Sequence, residues 1–166
     1  MHHRAGWLNP IIEGVSWIGT DGAVWIVIAA LLAVLWRRPG VFLQVVAADL
    51  ASAVLSYGLR DWIGRDRPPL TYARPKPLVG VPHSGSFPSG HAATAFACAT
   101  LLAFAAPRLA VPFLLLAAAI AFSRVYVGVH YPLDVIGGAA LGVAVAIALR
   151  WLVASLPRSR AARRAG

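Results

Sequence analysis

The stretch "SGSFPSGHAATAFACATLLAF", Ser84 to Phe104, opens on a mouth of serines, glycines and one proline, carries a histidine at its edge, and then turns almost wholly apolar. Polar, titratable groups at the start of a greasy helix need a reason. The composition of the whole chain supplies the first part of it. The 166 residues are 59% hydrophobic and only 13% charged, with a mean hydropathy of +0.71, which is wrong for an ordinary soluble domain and points to lipid as the solvent of the fold.

Working outward from this stretch, apolar segments recur at Gly22 to Trp36, Val41 to Leu59, Ala92 to Ala106, Ala110 to Val127 and Leu133 to Val153. Most approach the roughly 20 residues that a bilayer crossing requires. The expected fold is therefore all-α, a single integral membrane helical bundle over 1–166 with five transmembrane helices, or six. Leu8, Ile11, Ile12, Val15 and Ile18 repeat at helical spacing behind Asn9-Pro10, which predicts an N-terminal interfacial helix over 7–19 lying at the membrane surface. The first apolar segment runs into Trp36-Arg37-Arg38-Pro39 and lacks a small-residue cleavage site, so it reads as a retained helix rather than a signal peptide. The single Cys98 excludes an intramolecular disulfide and reads as packing.

The net charge of +9 rests on 14 arginines and one lysine. Such a balance suits nucleic acid in a soluble protein, but here it reads as an orientation signal, with no nucleic-acid partner. Five crossings put Arg37-Arg38, Ala106-Pro107-Arg108 and a basic tail over 157–166 on one side, which the positive-inside rule makes the cytoplasm. The other side receives the N-terminus, the long Gly64 to Phe87 loop with Pro68, Pro69, Pro75, Pro77 and Pro82, and the short Gly128 to Pro132 turn. The localisation expected is the cytoplasmic (inner) membrane of a bacterium, with the polar loops facing the extracytoplasmic side.

Three clusters on that side carry the unusual chemistry: "RDWIGRDRP" (Arg60 to Pro68), "PSGH" (Pro88 to His91) and "SRVYVGVHYPLD" (Ser123 to Asp134). They close one helix, open the next, and span the end and start of the last two, so the topology requires them to converge. Arg60, Arg67 and Arg124 are expensive near hydrocarbon and need anionic partners. Guanidinium forks match phosphate oxygens in pairs. The helix start at Ser89-Gly90 adds free backbone N–H groups and a hydroxyl, so the ligand described is a phosphate. His130 and Asp134, four apart, are expected on one face, the carboxylate orienting an imidazole nucleophile. His91 is placed to give a proton to the departing oxygen.

The pattern Arg60-x6-Arg67-Pro68, Pro88-Ser89-Gly90-His91 and Ser123-Arg124-x5-His130-x3-Asp134 resembles the three-part signature of the type 2 phosphatidic acid phosphatase (PAP2) superfamily of membrane lipid phosphatases. The resemblance implies a metal-independent phosphoric ester or diphosphate hydrolase without a cofactor. In it His130 attacks phosphorus to give a phosphohistidine, Arg60, Arg67, Ser89, Gly90 and Arg124 hold the phosphate oxygens, and His91 is the general acid. It departs from the family at Arg60, where the motif commonly begins with lysine. Substrates implied are a lipid phosphate or diphosphate: undecaprenyl diphosphate, phosphatidate, phosphatidylglycerophosphate and related prenyl-linked phosphates. A lipid-linked phosphotransferase with the same nucleophile and a non-catalytic phosphate-binding membrane protein are the alternatives. The vanadium haloperoxidases carry the same motif set but are soluble, which the apolar segments argue against.

Several residues stand outside the signature. Asp49 heads a polar stripe with Ser52, Ser56 and Arg60 and reads as a buried carboxyl tying helices together. Gly138 and Gly142 read as a close-packing face. His83 reads as a loop residue at the entrance to the site. His2-His3 make a poor closed metal site at a chain terminus.

Overall fold

The computed structural model describes residues 4–73 and 76–155; His2-His3, Arg74, Pro75 and the tail over 157–166 lie outside the described residues. The described chain consists of α1 (Asn9–Ile18), α2 (Ala23–Leu35), α3 (Pro39–Ile63), the short α4 (Pro68–Thr71), α5 (Gly90–Ala105), α6 (Ala110–Tyr126) and α7 (Pro132–Ser155), with single 3-10 turns before α1, α2 and α6. The five long helices α2, α3, α5, α6 and α7 fall on the five apolar segments of the sequence. Punctuation is local: Pro39 opens α3 at its first turn, where no N–H partner is lost, and Gly64 ends it at φ 61°, a left-handed conformation that glycine adopts without a Cβ clash.

Among the described residues, three spans are long and apolar enough to cross a membrane: α3 continued through α4, α6 with its preceding turn, and α7. The segments before and after Gly19–Gly22 make a further span only as a pair bent by 61°, and α5 is apolar but 16 residues long. The all-α membrane bundle expected from the sequence is therefore present. The N-terminal helix, expected at the membrane surface, runs beside α6: Asn9 meets Tyr126, at the end of α6, while Gly19 lies against Ile120. Six residues of α6 separate those levels, so α1 descends roughly 9 Å into the bundle along α6. Its short apolar pattern is the same for a surface helix and for the upper arm of a broken span.

Central α5 packs on α7, α6 and α3. Its contact faces are built of small residues: Ala92, Ala93, Ala95, Ala97, Cys98 and Ala99 are all buried. Large apolar side chains such as Leu31, Val54, Leu115, Ile136 and Trp151 point outward. This inverts a soluble core, as expected where lipid tails are as apolar as leucine and association depends on close backbone approach. The α5–α7 seam is the tightest. A Cβ on Gly138 would fall 3.0 Å from Ala92 Cβ, and one on Gly142 2.8 Å from the Ala97 backbone nitrogen. Gly142→Ala is thus expected to force the helices apart and cost about 1–3 kcal/mol, seen as a lower thermal midpoint in detergent; an unchanged midpoint would mean the seam yields freely.

Candidate active site

The three sequence clusters meet at one end of the bundle, and Arg67 is what joins them. It follows α3 in an extended conformation and is 1% exposed. Its Nε donates to the Ser84 carbonyl (2.9 Å), Nη2 to the Gly85 carbonyl (3.0 Å) and Ser84 Oγ (3.4 Å), and Nη1 to the Val129 carbonyl (3.1 Å) and His130 Nε2 (3.2 Å). Those five contacts match the five donors of a guanidinium. Arg67 is held by the protein itself, and gripping an anion would require Nη1 to exchange its contact with His130.

His130 lies in the turn before α7, 4% exposed. Its Nδ1 is 2.8 Å from the Ser86 carbonyl, an acceptor only, so Nδ1 carries the proton. Its Nε2 faces an arginine N–H, a donor only, so Nε2 presents a lone pair. The two partners assign the neutral Nδ1–H tautomer. Asp134 Oδ2 is 3.5 Å from Nδ1, a second and longer partner. The sequence reading gave Asp134 the orienting role, but its nearer contacts are the Tyr131 backbone N–H (2.8 Å), as an N3 acid capping α7, and Arg65 Nη1 (2.8 Å). The Ser86 carbonyl was missed because a backbone acceptor leaves no residue-type signal. It is fixed by Ser86 N–H on the Arg65 carbonyl (2.8 Å) and Ser86 Oγ on the Asp66 carbonyl (3.2 Å).

Burial holds the His130 pKa below its ordinary value of 6.5, with the nearby Arg67 and Arg124 charges acting in the same direction and Asp134 opposing them. If His130 must be neutral to react, activity is present above that pKa and lost as pH falls through it. The acid limb of kcat/KM is therefore expected below pH 6.5. Asp134→Asn removes the opposing carboxylate and should move the limb further to acid; a pH–rate profile moving the other way would contradict this role for Asp134.

Ser89 caps α5, and its backbone N–H donates to the Asp134 carbonyl at 2.9 Å, tying the starts of α5 and α7 together. The next N–H groups, of Gly90, His91 and Ala92, begin the helix and have no acceptor within it. The Arg60 guanidinium stands over them: its Nη atoms lie 3.5 Å from where a Gly90 Cβ would sit, while its Nε donates to the Ser56 carbonyl at 3.1 Å. Ser89 Oγ and His91 Nε2 are buried and make no hydrogen bond to protein. Arg124, His130, Arg60 and Arg67 are all close enough to act electrostatically on His91. Arg60, Arg67 and Arg124 thus outnumber the acids around them: Asp134 is bound to Arg65, and Asp61 and Asp66 are exposed.

Arg124 has a partner outside the three clusters. It is 6% exposed, and its Nη1 hydrogen-bonds Ser16 Oγ on α1, itself 1% exposed, while Arg124 Nε has no protein partner. Ser16 was invisible in the sequence because nothing there places α1 beside α6. Ser16→Ala frees one arm of the guanidinium and is expected to raise KM roughly tenfold or more with kcat little changed, the lower end of what one hydrogen bond to a charged group contributes. Ser16→Thr should restore KM; equal losses in both variants would point to packing alone.

A cavity of about 580 Å³ leads away from this cluster. Arg60, Gly90 and His91 line one part; Leu50, Ala53 and Val54 on α3 line its flank. It reaches Gly22 at the α1–α2 joint, where the half-buried Asp49 carboxylate of α3 lies against the glycine. All eight residues expected in the site sit at one end of the fold, whereas His83 is exposed on the loop.

The chain matches the model of the PAP2 superfamily over residues 41–158. It is 31% identical to an undecaprenyl-diphosphatase of Sulfolobus acidocaldarius over 85% of this chain and 68% of that one. Its fold is similar to the crystal structure of a transmembrane PAP2-type phosphatidylglycerolphosphate phosphatase from Bacillus subtilis, with TM-score 0.75, 28% identity, and coverage of 94% of this chain and 81% of that one. It is also similar to Aquifex aeolicus LpxE, with TM-score 0.79, 28% identity, and coverage of 89% and 88%.

Proposed function

This chain belongs to the PAP2 superfamily and is a membrane phosphatase of that type, and on that premise we propose that it hydrolyses a lipid phosphomonoester or a polyprenyl diphosphate through a phosphohistidine on His130. The observation that carries the reading is the His130 tautomer. Nδ1–H donates to the Ser86 carbonyl, which leaves the Nε2 lone pair directed into a cluster of three arginines. A neutral nitrogen nucleophile among cations suits an anionic electrophile.

In the first step Nε2 attacks phosphorus and the bond from phosphorus to the leaving oxygen breaks. That oxygen takes a proton from His91. In the second step water attacks the phosphohistidine, giving its proton back to His91, and the P–N bond breaks to release phosphate and restore the lone pair. Arg60, Arg124, Ser89 Oγ and the free N–H groups at the start of α5 hold the phosphoryl oxygens throughout. The organic part of the substrate lies in the cavity that runs from His91 along the apolar flank of α3, its tails remaining in the bilayer. The basic turns at Arg37-Arg38 and Arg108 support a cytoplasmic location for the opposite end, which puts the site at the extracytoplasmic face of the inner membrane.

The test is a substrate panel on purified protein in detergent, with undecaprenyl diphosphate, phosphatidate and phosphatidylglycerophosphate labelled at the terminal phosphate. Free phosphate and an acid-labile, base-stable label on the protein are expected with at least one of them. A labelled acceptor lipid with little free phosphate would instead make it a phosphotransferase.

A further inference from the structure

The end of the bundle opposite the phosphate cradle carries a second cationic site. Arg37 and Arg38 follow α2, Arg108 lies in the turn before α6, and Arg150 is on the last part of α7. None of the chain's six acids is at this end: Glu13, Asp21 and Asp49 belong to α1, the α1–α2 joint and the middle of α3, and Asp61, Asp66 and Asp134 lie around the cradle. Among the described residues, Arg38 and Arg108 make no ion pair or side-chain hydrogen bond. Arg150 stacks over the Phe104 ring, 4.7 Å from its centroid.

Arg38, Arg108 and Arg150 line two clefts that share Arg38 and Ala105. One, of about 840 Å³, lies between Trp36, Arg38, Pro107 and Arg108; the other, of about 220 Å³, reaches Gln44 and Arg150. The backbone adds an independent sign. After α2, Arg38 N–H bonds the Ala33 carbonyl (2.9 Å) and Arg37 N–H the Val34 carbonyl (3.2 Å), the Schellman pattern, with Arg37 at φ 55° in the left-handed position that ordinarily takes glycine. This turn, an uncommon one for a residue with a side chain, leads directly to Arg38 on the wall that the two clefts share. Charges that only set membrane orientation need no cleft.

We propose that this end binds the phosphate of an anionic phospholipid from the leaflet opposite the active site. The phosphate sits between Arg38 and Arg108, with Trp36 at the level of the glycerol backbone. The acyl chains follow Val34 and Leu35 of α2 and Val111 and Leu115 of α6, all outward-facing. Basic pockets between helices at a membrane surface take lipid headgroups by this charge complementarity, each arginine being worth roughly fivefold in affinity.

Native mass spectrometry of the whole protein released from detergent tests the site, with phosphatidylglycerol, phosphatidylcholine and inorganic phosphate added in separate arms. Phosphatidylglycerol is expected to stay bound at least about tenfold more than phosphatidylcholine. That preference should disappear in R38Q/R108Q, fall partway in each single variant, and survive in R60Q, whose change lies in the cradle. Equal retention of the two lipids overturns the proposal. So does loss of the preference in R60Q with R38Q/R108Q unaffected, which would assign the lipid to the active site. Displacement of bound lipid by millimolar phosphate would mean that the ligand is the free anion, and would overturn it equally.

Discussion

His130→Ala is expected to lower phosphate release by roughly 10⁴-fold or more, the scale on which removal of a covalent nucleophile ordinarily acts. The proposed chemistry passes through one nitrogen, and nothing near it can replace that nitrogen. Arg67 and Arg124 have no lone pair to offer, Asp134 is bound to Arg65 and the Tyr131 N–H, and His91 stands at the start of α5 in the acid's position. Residual activity would come from the arginines and helix start alone, which still stabilise charge around a water attack. The same variant should carry no acid-labile phosphate after rapid quenching, while His91→Ala, slow in both steps, should still form some with an activated substrate whose leaving oxygen needs no proton. Activity within tenfold of the unmodified protein in His130→Ala would remove His130 as the nucleophile, and a label surviving that substitution would put the intermediate on another residue.

How much of this was legible in the sequence differs between helices and contacts. α2, α3, α5, α6 and α7 were readable because unbroken apolar runs of 13 residues or more, bounded by Pro39, Gly64, Pro107 and Pro132, have few other readings. The convergence of Arg60, Arg67, Ser89, His91, Arg124, His130 and Asp134 was readable because alternate crossings return to the same face. What could not be read were partners without a residue code. The Ser86 carbonyl, the closest partner of the His130 ring proton, is a backbone atom, and any residue type would supply it. Ser16 lies on α1, 108 residues from Arg124, in a segment whose sequence pattern does not distinguish a surface helix from the upper arm of a bent one. Asp134 was placed correctly beside His130, but its ion pair with Arg65 depends on how the loop after α3 turns back, and spacing does not encode that.

Arg67→Lys is expected to be far more damaging than Arg60→Lys, although both keep the charge and both arginines were assigned to phosphate. The expected losses in kcat/KM are roughly 10²–10³ for Arg67→Lys and less than about tenfold for Arg60→Lys. The difference follows from what each guanidinium holds. Arg60 hydrogen-bonds protein through its Nε alone, at the Ser56 carbonyl, stacks 5.8 Å over the Tyr57 ring, and leaves its Nη atoms over the start of α5, where an ammonium can also sit. Arg67 joins the carbonyls of Ser84, Gly85 and Val129 and His130 Nε2 from one rigid fork. An ammonium has three donors at a single point and cannot reach acceptors on two loops together. At least two buried acceptors would lose their partner, each at about 1–3 kcal/mol, and the 84–86 loop would loosen together with the Ser86 carbonyl that fixes the His130 tautomer. The loss should therefore fall mainly on kcat, accompanied by a lower thermal midpoint, whereas Arg60→Lys should act mainly on KM with the midpoint unchanged. Comparable effects of the two substitutions on kcat would mean that Arg67 serves only as a charge, and that the His130 ring is oriented without it.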